Sequence, residues 1–147
     1  MKIVKATREH AIELSQNLKQ GDLEEINAGG HTPLEVLLYG VEASLHAYSA
    51  IEDNKVIAMW GIKVENFFSR SAGIWLLTAP HAKKKTLLRE SKRFVEYFRQ
   101  QYPQLVGMVY APYKDAIKLL LYLGFCIHSP VKYGRKQAMF SYFELKA

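Results

Sequence analysis

The sequence predicts a three-layer α+β domain, in which a central mixed, mostly antiparallel sheet carries helices on both faces. Three stretches predict it. Leu105 to Phe125, LVGMVYAPYKDAIKLLLYLGF, reads as a buried strand, an open connection, a short apolar helix and a Gly-Phe that turns the chain back into a strand. Ahead of it, GIWLLTAP reads as a strand of the buried type and leads into a long helix with a basic outer face. Leu45 to Ile51 and Val56 to Val64 are apolar or alternating runs joined by Glu52-Asp53-Asn54-Lys55, a hairpin signal.

The elements follow in order. Ile3 to Ala6 forms a first strand, and Thr7 caps a helix with Ala11, Leu14, Ser15 and Leu18 on one face. The segment QGDLEEINAGG ends in two glycines that interrupt helix. Thr32-Pro33-Leu34-Glu35 combines a capping hydroxyl, a proline at the first helical position and a glutamate at the third, so a helix starts there and runs to about Ala43. After the hairpin, Asn66 to Ser71 is a loop and Gly73 to Thr78 a strand. The basic helix, Lys83 to Gln101, places Leu87, Leu88, Ser91, Phe94, Val95, Phe98 and Tyr102 at spacings of three and four, and Pro103 stops it. A strand at Leu105 to Tyr110, a helix at Lys114 to Leu123 and strands at Cys126 to Pro130 and Ala138 to Leu145 complete the order β-α-α-β-β-β-α-β-α-β-β. No repeat, low-complexity tract or linker divides the chain, so residues 1–147 are expected to form one domain.

Composition narrows the class. With 49% hydrophobic residues and 12% aromatics in 147 residues, the chain can build a core and is no disordered tail. No apolar run approaches the roughly 20 residues of a membrane span, so no membrane partner is expected. The chain opens directly on strand-like MKIVKAT, and its one cysteine, Cys126, has no partner for an internal disulfide, so a cytoplasmic setting is expected. Cys126 itself is expected to be a small buried hydrophobe. Residues 1–66 hold 6 Lys/Arg and 10 Asp/Glu (−4), and residues 67–147 hold 14 and 4 (+10), together the net +6 of the chain. The basic half would suit cofactor phosphates, nucleic acid, an acidic partner or a solvated face, and the acidic half a cationic ligand. His10, His31, His46, His81 and His128 show no metal-ligand spacing, and no metal is expected.

The element order, with the strand GIWLLTAP, the helix tail LLRESKRF and the motif YKDAIKLLLYLGF, resembles the Gcn5-related N-acetyltransferase (GNAT) superfamily over essentially the whole chain. The resemblance implies a sheet splayed between its fourth and fifth strands, Gly73 to Thr78 and Leu105 to Tyr110, with the pantetheine arm of acetyl-CoA in the gap. It also implies a phosphate cradle of the form Gln/Arg-x-x-Gly-x-Gly/Ala at the entry of the basic helix. Here that entry is TAPHAKKKT, without glycine, and Ala82 and Lys84 fall at the glycine positions. Coenzyme A contacts are thereby implied at Leu77, Thr78, Ala82, Lys83, Lys84, Lys85 and Tyr113, with lysine charge standing in for a tight amide nest. In the later family motif, Asn-x-x-Ala-x-x-x-Tyr-x-x-x-Gly-Phe, Ala116, Gly124 and Phe125 match, Tyr113 takes the asparagine position and Leu120 the position of the tyrosine acid. Tyr122 lies about 200° further round the helix, where it is expected to point elsewhere and to fill core.

The fourth strand also lacks the family's carboxylate base. Glu52 and Glu65 are the nearest alternatives by topology, and both are expected to be exposed strand-end charges, so the catalytic residues are left unassigned. Three functions compete. The first is acetyl transfer from acetyl-CoA to a primary amine of a small molecule or protein, with Asp22, Glu24 and Glu25 drawing the cation and Tyr133 framing the acceptor pocket. The second is a catalytically degenerate GNAT-fold protein, virion-associated or host-interacting, because pattern likeness extends to GNAT-like proteins of tailed bacteriophages. The third and weakest is nucleic-acid binding along Lys83, Lys84, Lys85, Arg89, Lys92, Arg93 and Arg99. Neither the acceptor nor the oligomeric state is written in the sequence.

Overall fold

Residues 1–65 and 68–146 are described by the computed structural model. Residues 66 and 67 of the expected loop therefore lie outside the described residues. Along the chain run β1 (Lys2–Lys5), α1 (Arg8–Ser15), α2 (Gln20–Ala28), α3 (Pro33–Ala43), β2 (His46–Glu52), β3 (Lys55–Lys63) and β4 (Ser71–Thr78). Then come α4 (Lys84–Arg99), β5 (Gln104–Tyr110), α5 (Lys114–Tyr122), β6 (Cys126–Ile127), β7 (Val131–Tyr133) and β8 (Ala138–Lys146). The strands form one sheet in the order β1-β2-β3-β4-β5-β8-β6, with β7 also on β8, and the β4–β5 pair is parallel while the others are antiparallel.

Local chemistry sets the ends as expected. Thr7 Oγ1 accepts from His10 N at 3.1 Å while His10 Nδ1 accepts from Thr7 N at 3.2 Å, closing a capping box on α1. Thr32 and Glu35 do the same for α3, with Pro33 as its first residue. Asp53 and Asn54 take positive φ values of 50° and 62°, the conformation that a tight β2–β3 hairpin demands.

The sheet separates two layers. On the front, α1, α2 and α3 bury Ala11, Leu14, Ile26 and Leu37 against Met59 and Leu77, with Trp75 packed at the margin. On the back, Val95 and Phe98 of α4 meet Ala72, Leu105, Val109 and Phe143. Alternation along β4 therefore sends Trp75 and Leu77 forward and Ala72, Ile74 and Leu76 back.

Four expectations are corrected. The first helix ends at Ser15 instead of reaching Leu18, although Leu18 is buried. QGDLEEINA is a full helix, α2, hidden from the sequence because its buried face is Asp22, Ile26 and Ala28, with a carboxylate where periodicity would need an apolar residue. Cys126 is exposed, because Phe125 takes the buried position at the entry to the short edge strand β6 and the next side chain points out. Tyr122 is 61% exposed instead of filling core: the inward side of α5 is held by Ala116, Ile117, Leu120 and Leu123. A further strand, β7, folds back on β8, and the tip of that hairpin reaches the front layer. There Arg135 Nη1 donates to Gly30 O at 3.3 Å and Lys136 Nζ to Asn27 Oδ1 at 3.1 Å.

Trp75 needs two glycines. A Cβ at Gly40 would come within 2.8 Å of its ring, and one at Gly61 within 2.7 Å of the ring and 2.8 Å of the His46 carbonyl. The backbone contact leaves no room to relax, so Gly61→Ala should destabilise the fold by about 1–3 kcal/mol, read as a lower denaturation midpoint with unchanged slope.

Candidate functional site

Strands β4 and β5 pair only at Ser71↔Gln104, Ala72↔Leu105 and Gly73↔Val106, and beyond these they part. The closed end is pinned by side chains: Ser71 Oγ donates to Gln104 Oε1 at 2.7 Å, Gln104 Nε2 to Glu144 Oε1 at 3.2 Å, and His128 Nε2 lies 2.7 Å from Glu144 Oε2. The expected splay is therefore present, at the expected place.

Parting strands leave backbone donors and acceptors that need partners. Helix α2 supplies several. Asp22 Oδ2 accepts from Thr78 N at 2.8 Å and from the Thr78 hydroxyl at 3.3 Å, and Lys19 N donates to Thr78 O at 2.9 Å. Across the gap, Glu25 Oε2 accepts from Tyr110 N at 2.9 Å. Asp22 and Glu25 are three residues apart, so one helical face presents both carboxylates. By alternation, the backbone groups of Leu76 and Met108 face the same gap deeper in. Tyr113, at the N-cap position of α5, donates its hydroxyl to Asp22 Oδ1 at 2.8 Å. Its ring lies on Gly21, where a Cβ would come within 2.4 Å of it.

These groups titrate abnormally. Burial pushes the Asp22 carboxyl above its usual range, against the pull of the Thr78 and Tyr113 hydrogen bonds and of Lys19. Burial also raises Glu25 to about 7; the Tyr110 N–H lowers it and the neighbouring Asp22 charge raises it further. Burial and then the Asp22 charge push the Tyr113 phenol well above its usual range, so it stays protonated.

A cavity of about 320 Å³ passes through the gap from one face of the sheet to the other. Its front wall includes Glu25, Tyr39, Lys63 and Trp75, and its back wall Leu76, Phe94, Ala116 and Leu120. Of the residues implicated by sequence, Leu77, Thr78, Ala82, Lys83 and Tyr113 line it, whereas Lys84 and Lys85 are exposed on the first turn of α4 outside its lining. The turn into α4 carries no side-chain cap, so its first amides stay free for an anion, with Lys83 beside them. Ala82 turns its side chain into the cluster of Ala50, Ile57 and Leu87.

Neither Glu52 nor Glu65 lines the cavity, and Tyr133 packs at a tilt against Phe140 outside it. Glu24 is exposed, unlike its neighbours Asp22 and Glu25. No cluster of three metal-ligating side chains exists among the described residues. The carboxylates at the gap come from α2 and not from a strand; the sequence marks Asp22 and Glu25, with Glu24, as acids that would draw a cation, and the structure brings the first two to the gap.

No family model matches the sequence, and no curated protein does. Solved structures do. The spermidine N-acetyltransferase of Vibrio cholerae in complex with CoA and spermine superposes with a TM-score of 0.71 at 16% identity, covering 99% of this chain and 94% of that one. The fold is that of the acetyltransferases. An acetyltransferase of the GNAT family from Bacillus anthracis gives 0.72 at 10% identity, over 98% and 93% of the two chains. The putative acetyltransferase yncA of Salmonella typhimurium, solved with acetyl-CoA, gives 0.67 at 16%, over 99% and 93%.

The titration of Glu25 has a consequence for stability. Its carboxyl moves from the usual 4.5 unfolded to about 7 folded, so the folded state holds an extra proton between those values. Stability should therefore fall as pH rises from 4.5 to 7, by no more than about 3 kcal/mol, and level off above. Glu25→Gln keeps an acceptor for Tyr110 N and should flatten this stretch of the profile, leaving the variant more stable than the parent at pH 8 in urea titrations.

Proposed function

We propose that this chain is an N-acyltransferase that moves an acetyl group from acetyl-CoA to a primary amine, with Glu25 as general base. The observation that carries this reading is a buried carboxylate, Glu25, held on the Tyr110 amide at the open end of the gap between β4 and β5, where burial raises its pKa to about 7. A base titrating near neutrality is matched to taking a proton from an ammonium group held beside it. The coenzyme and polyamine named for two of the similar structures support the same class of reaction.

Acetyl-CoA would supply the activated acyl group. The unpaired backbone of Leu76 and Met108 would hold its amide arm in the gap, and the free amides at the start of α4, with Lys83, its phosphates. Glu25 would take one proton from the ammonium group, the freed amine nitrogen would bond to the acyl carbon, and the second proton on nitrogen would pass to solvent. The carbon–sulfur bond breaks, and sulfur leaves as thiolate, an acceptable leaving group for a thiol of pKa about 8.5. Solvent then protonates it. Tyr113 has a different part: its hydroxyl is committed to Asp22, and it holds α2, and with it Glu25, against the strand ends.

A second reading rests on a specific observation. Asp22 and Glu25 already satisfy Thr78 N and Tyr110 N, which an acyl-carrying ligand would otherwise use. A non-catalytic descendant of the fold, acting in a bacteriophage particle or on a host protein, would be built this way. Calorimetric titration separates the two. Acetyl-CoA should bind, and replacing Lys83, Lys84 and Lys85 together by alanine should weaken it at least tenfold. The rate of acetyl transfer to amines should rise with pH through an inflection near 7 that Glu25→Gln abolishes. Absence of any coenzyme binding would favour the second reading.

A further inference from the structure

The front half of the cavity has a polarity that base and coenzyme do not account for. Lys63, the last residue of β3, is half-buried and lines it, and no carboxylate lies within ion-pair distance of Lys63 among the described residues. Its ammonium sits instead over the ring of Tyr39, 4.7 Å from the centroid, a placement that holds a cation without neutralising it. Burial lowers its pKa, as expected of a charge lacking a counterpart. The space in front of it is open. Lys63 pairs with Gly73, and a Cβ at Gly73 would meet nothing nearer than the Lys63 carbonyl at 3.9 Å. Tyr39 beside it is 60% exposed, so the cavity communicates with solvent there.

The register gives the scale. Gly73 is level with Val106, so Tyr110, whose amide holds Glu25, is level with Leu77. Four residues of strand separate the two levels, about 13 Å. Between them Trp75 lines the cavity, its indole clamped between Gly40 of α3 and Gly61 of β3 and tied by a 2.8 Å hydrogen bond from Nε1 to Ser44 Oγ. An anionic end near Glu25 would be repelled, and a cationic end near Lys63 likewise.

Resting on the acyltransferase reading, we propose that the acceptor is dipolar: a primary amine seated at Glu25, joined by an extended apolar stretch over Trp75 to an anionic group seated at Lys63. At about 3.3–3.6 Å per extended residue, an acidic peptide N-terminus fits that span, its carboxylate on the third or fourth residue. A polyamine, cationic at both ends, does not.

The test uses the full chain, a C-terminally amidated tetrapeptide with aspartate at the third position, the same amidated peptide with asparagine there, and spermidine. Binding is read without coenzyme from tryptophan fluorescence and calorimetry, and acetylation separately with acetyl-CoA. The aspartyl peptide should bind at least tenfold more tightly than the other two. Lys63→Met, which keeps the apolar stem and removes the charge, should erase that preference without weakening the asparaginyl peptide, and Lys63→Arg should restore it. Equal binding of both peptides, tighter binding of spermidine, or a preference that survives Lys63→Met would overturn the dipolar acceptor. If amines are acetylated without regard to a distant anion, the acyltransferase reading stands and this inference falls. If the aspartyl peptide binds through Lys63 and nothing is acetylated, the reverse holds.

Discussion

Two adjacent parallel strands cannot part inside a protein unless something else answers their backbone groups, and the architecture of this chain follows from that requirement. Beyond Gly73 and Val106 the ladder between β4 and β5 is gone. Water cannot replace it throughout, since hydrophobic clusters lie on both faces. The chain answers with side chains at the closed end and with carboxylates of α2 at the open end. What is left between, the edges of Leu76 and Met108, forms a slot through the sheet and is the reason that the cavity joins front and back.

The carboxylate answer carries a penalty. An ionised acid removed from water is unfavourable unless hydrogen bonds or charges compensate it. Asp22 has Thr78, Tyr113 and the Lys19 charge, whereas Glu25 has one backbone N–H and a like charge beside it. The pair is thus unequal: Asp22 is built into the frame, and Glu25 is held close to its protonation midpoint at neutral pH. Perturbed acids of this kind concentrate at sites of chemistry, and the same perturbation makes the folded state less stable above pH 7 than a neutral side chain would.

The frame of the fold was legible in the sequence; its occupied gap was not. The β2–β3 hairpin, the capping boxes at Thr7 and Thr32 and the apolar stripe of α4 are local signals, and local signals survive into the structure. The parting of β4 and β5 came from the resemblance and is present. Helix α2 escaped because its inward positions include Asp22, buried for a partner 56 residues away that no local pattern reveals. The fourth strand and the hairpin ends bring no carboxylate to the gap, while α2, in a segment that carries no helix signal in the sequence, brings two. Cys126 and Tyr122 were misplaced for the opposite reason. Residue type argued for burial, but Phe125 and Leu123 had already filled the positions next to them.

The partners of α2 lie far along the chain. Asp22 and Tyr113 are 91 residues apart, Glu25 and Tyr110 85, Gly30 and Arg135 105, and Asn27 and Lys136 109. A short helix with little apolar surface gains most of its stability from such contacts, and loops of that length must close before the contacts exist. Docking of α2 therefore waits on distant chain: Thr78, Tyr110 and Tyr113 must be in place to receive the acidic pair, and the tip of the last hairpin then adds Arg135 and Lys136 at the end of the helix. The acidic pair leaves water only once β5 and the first turn of α5 have been made.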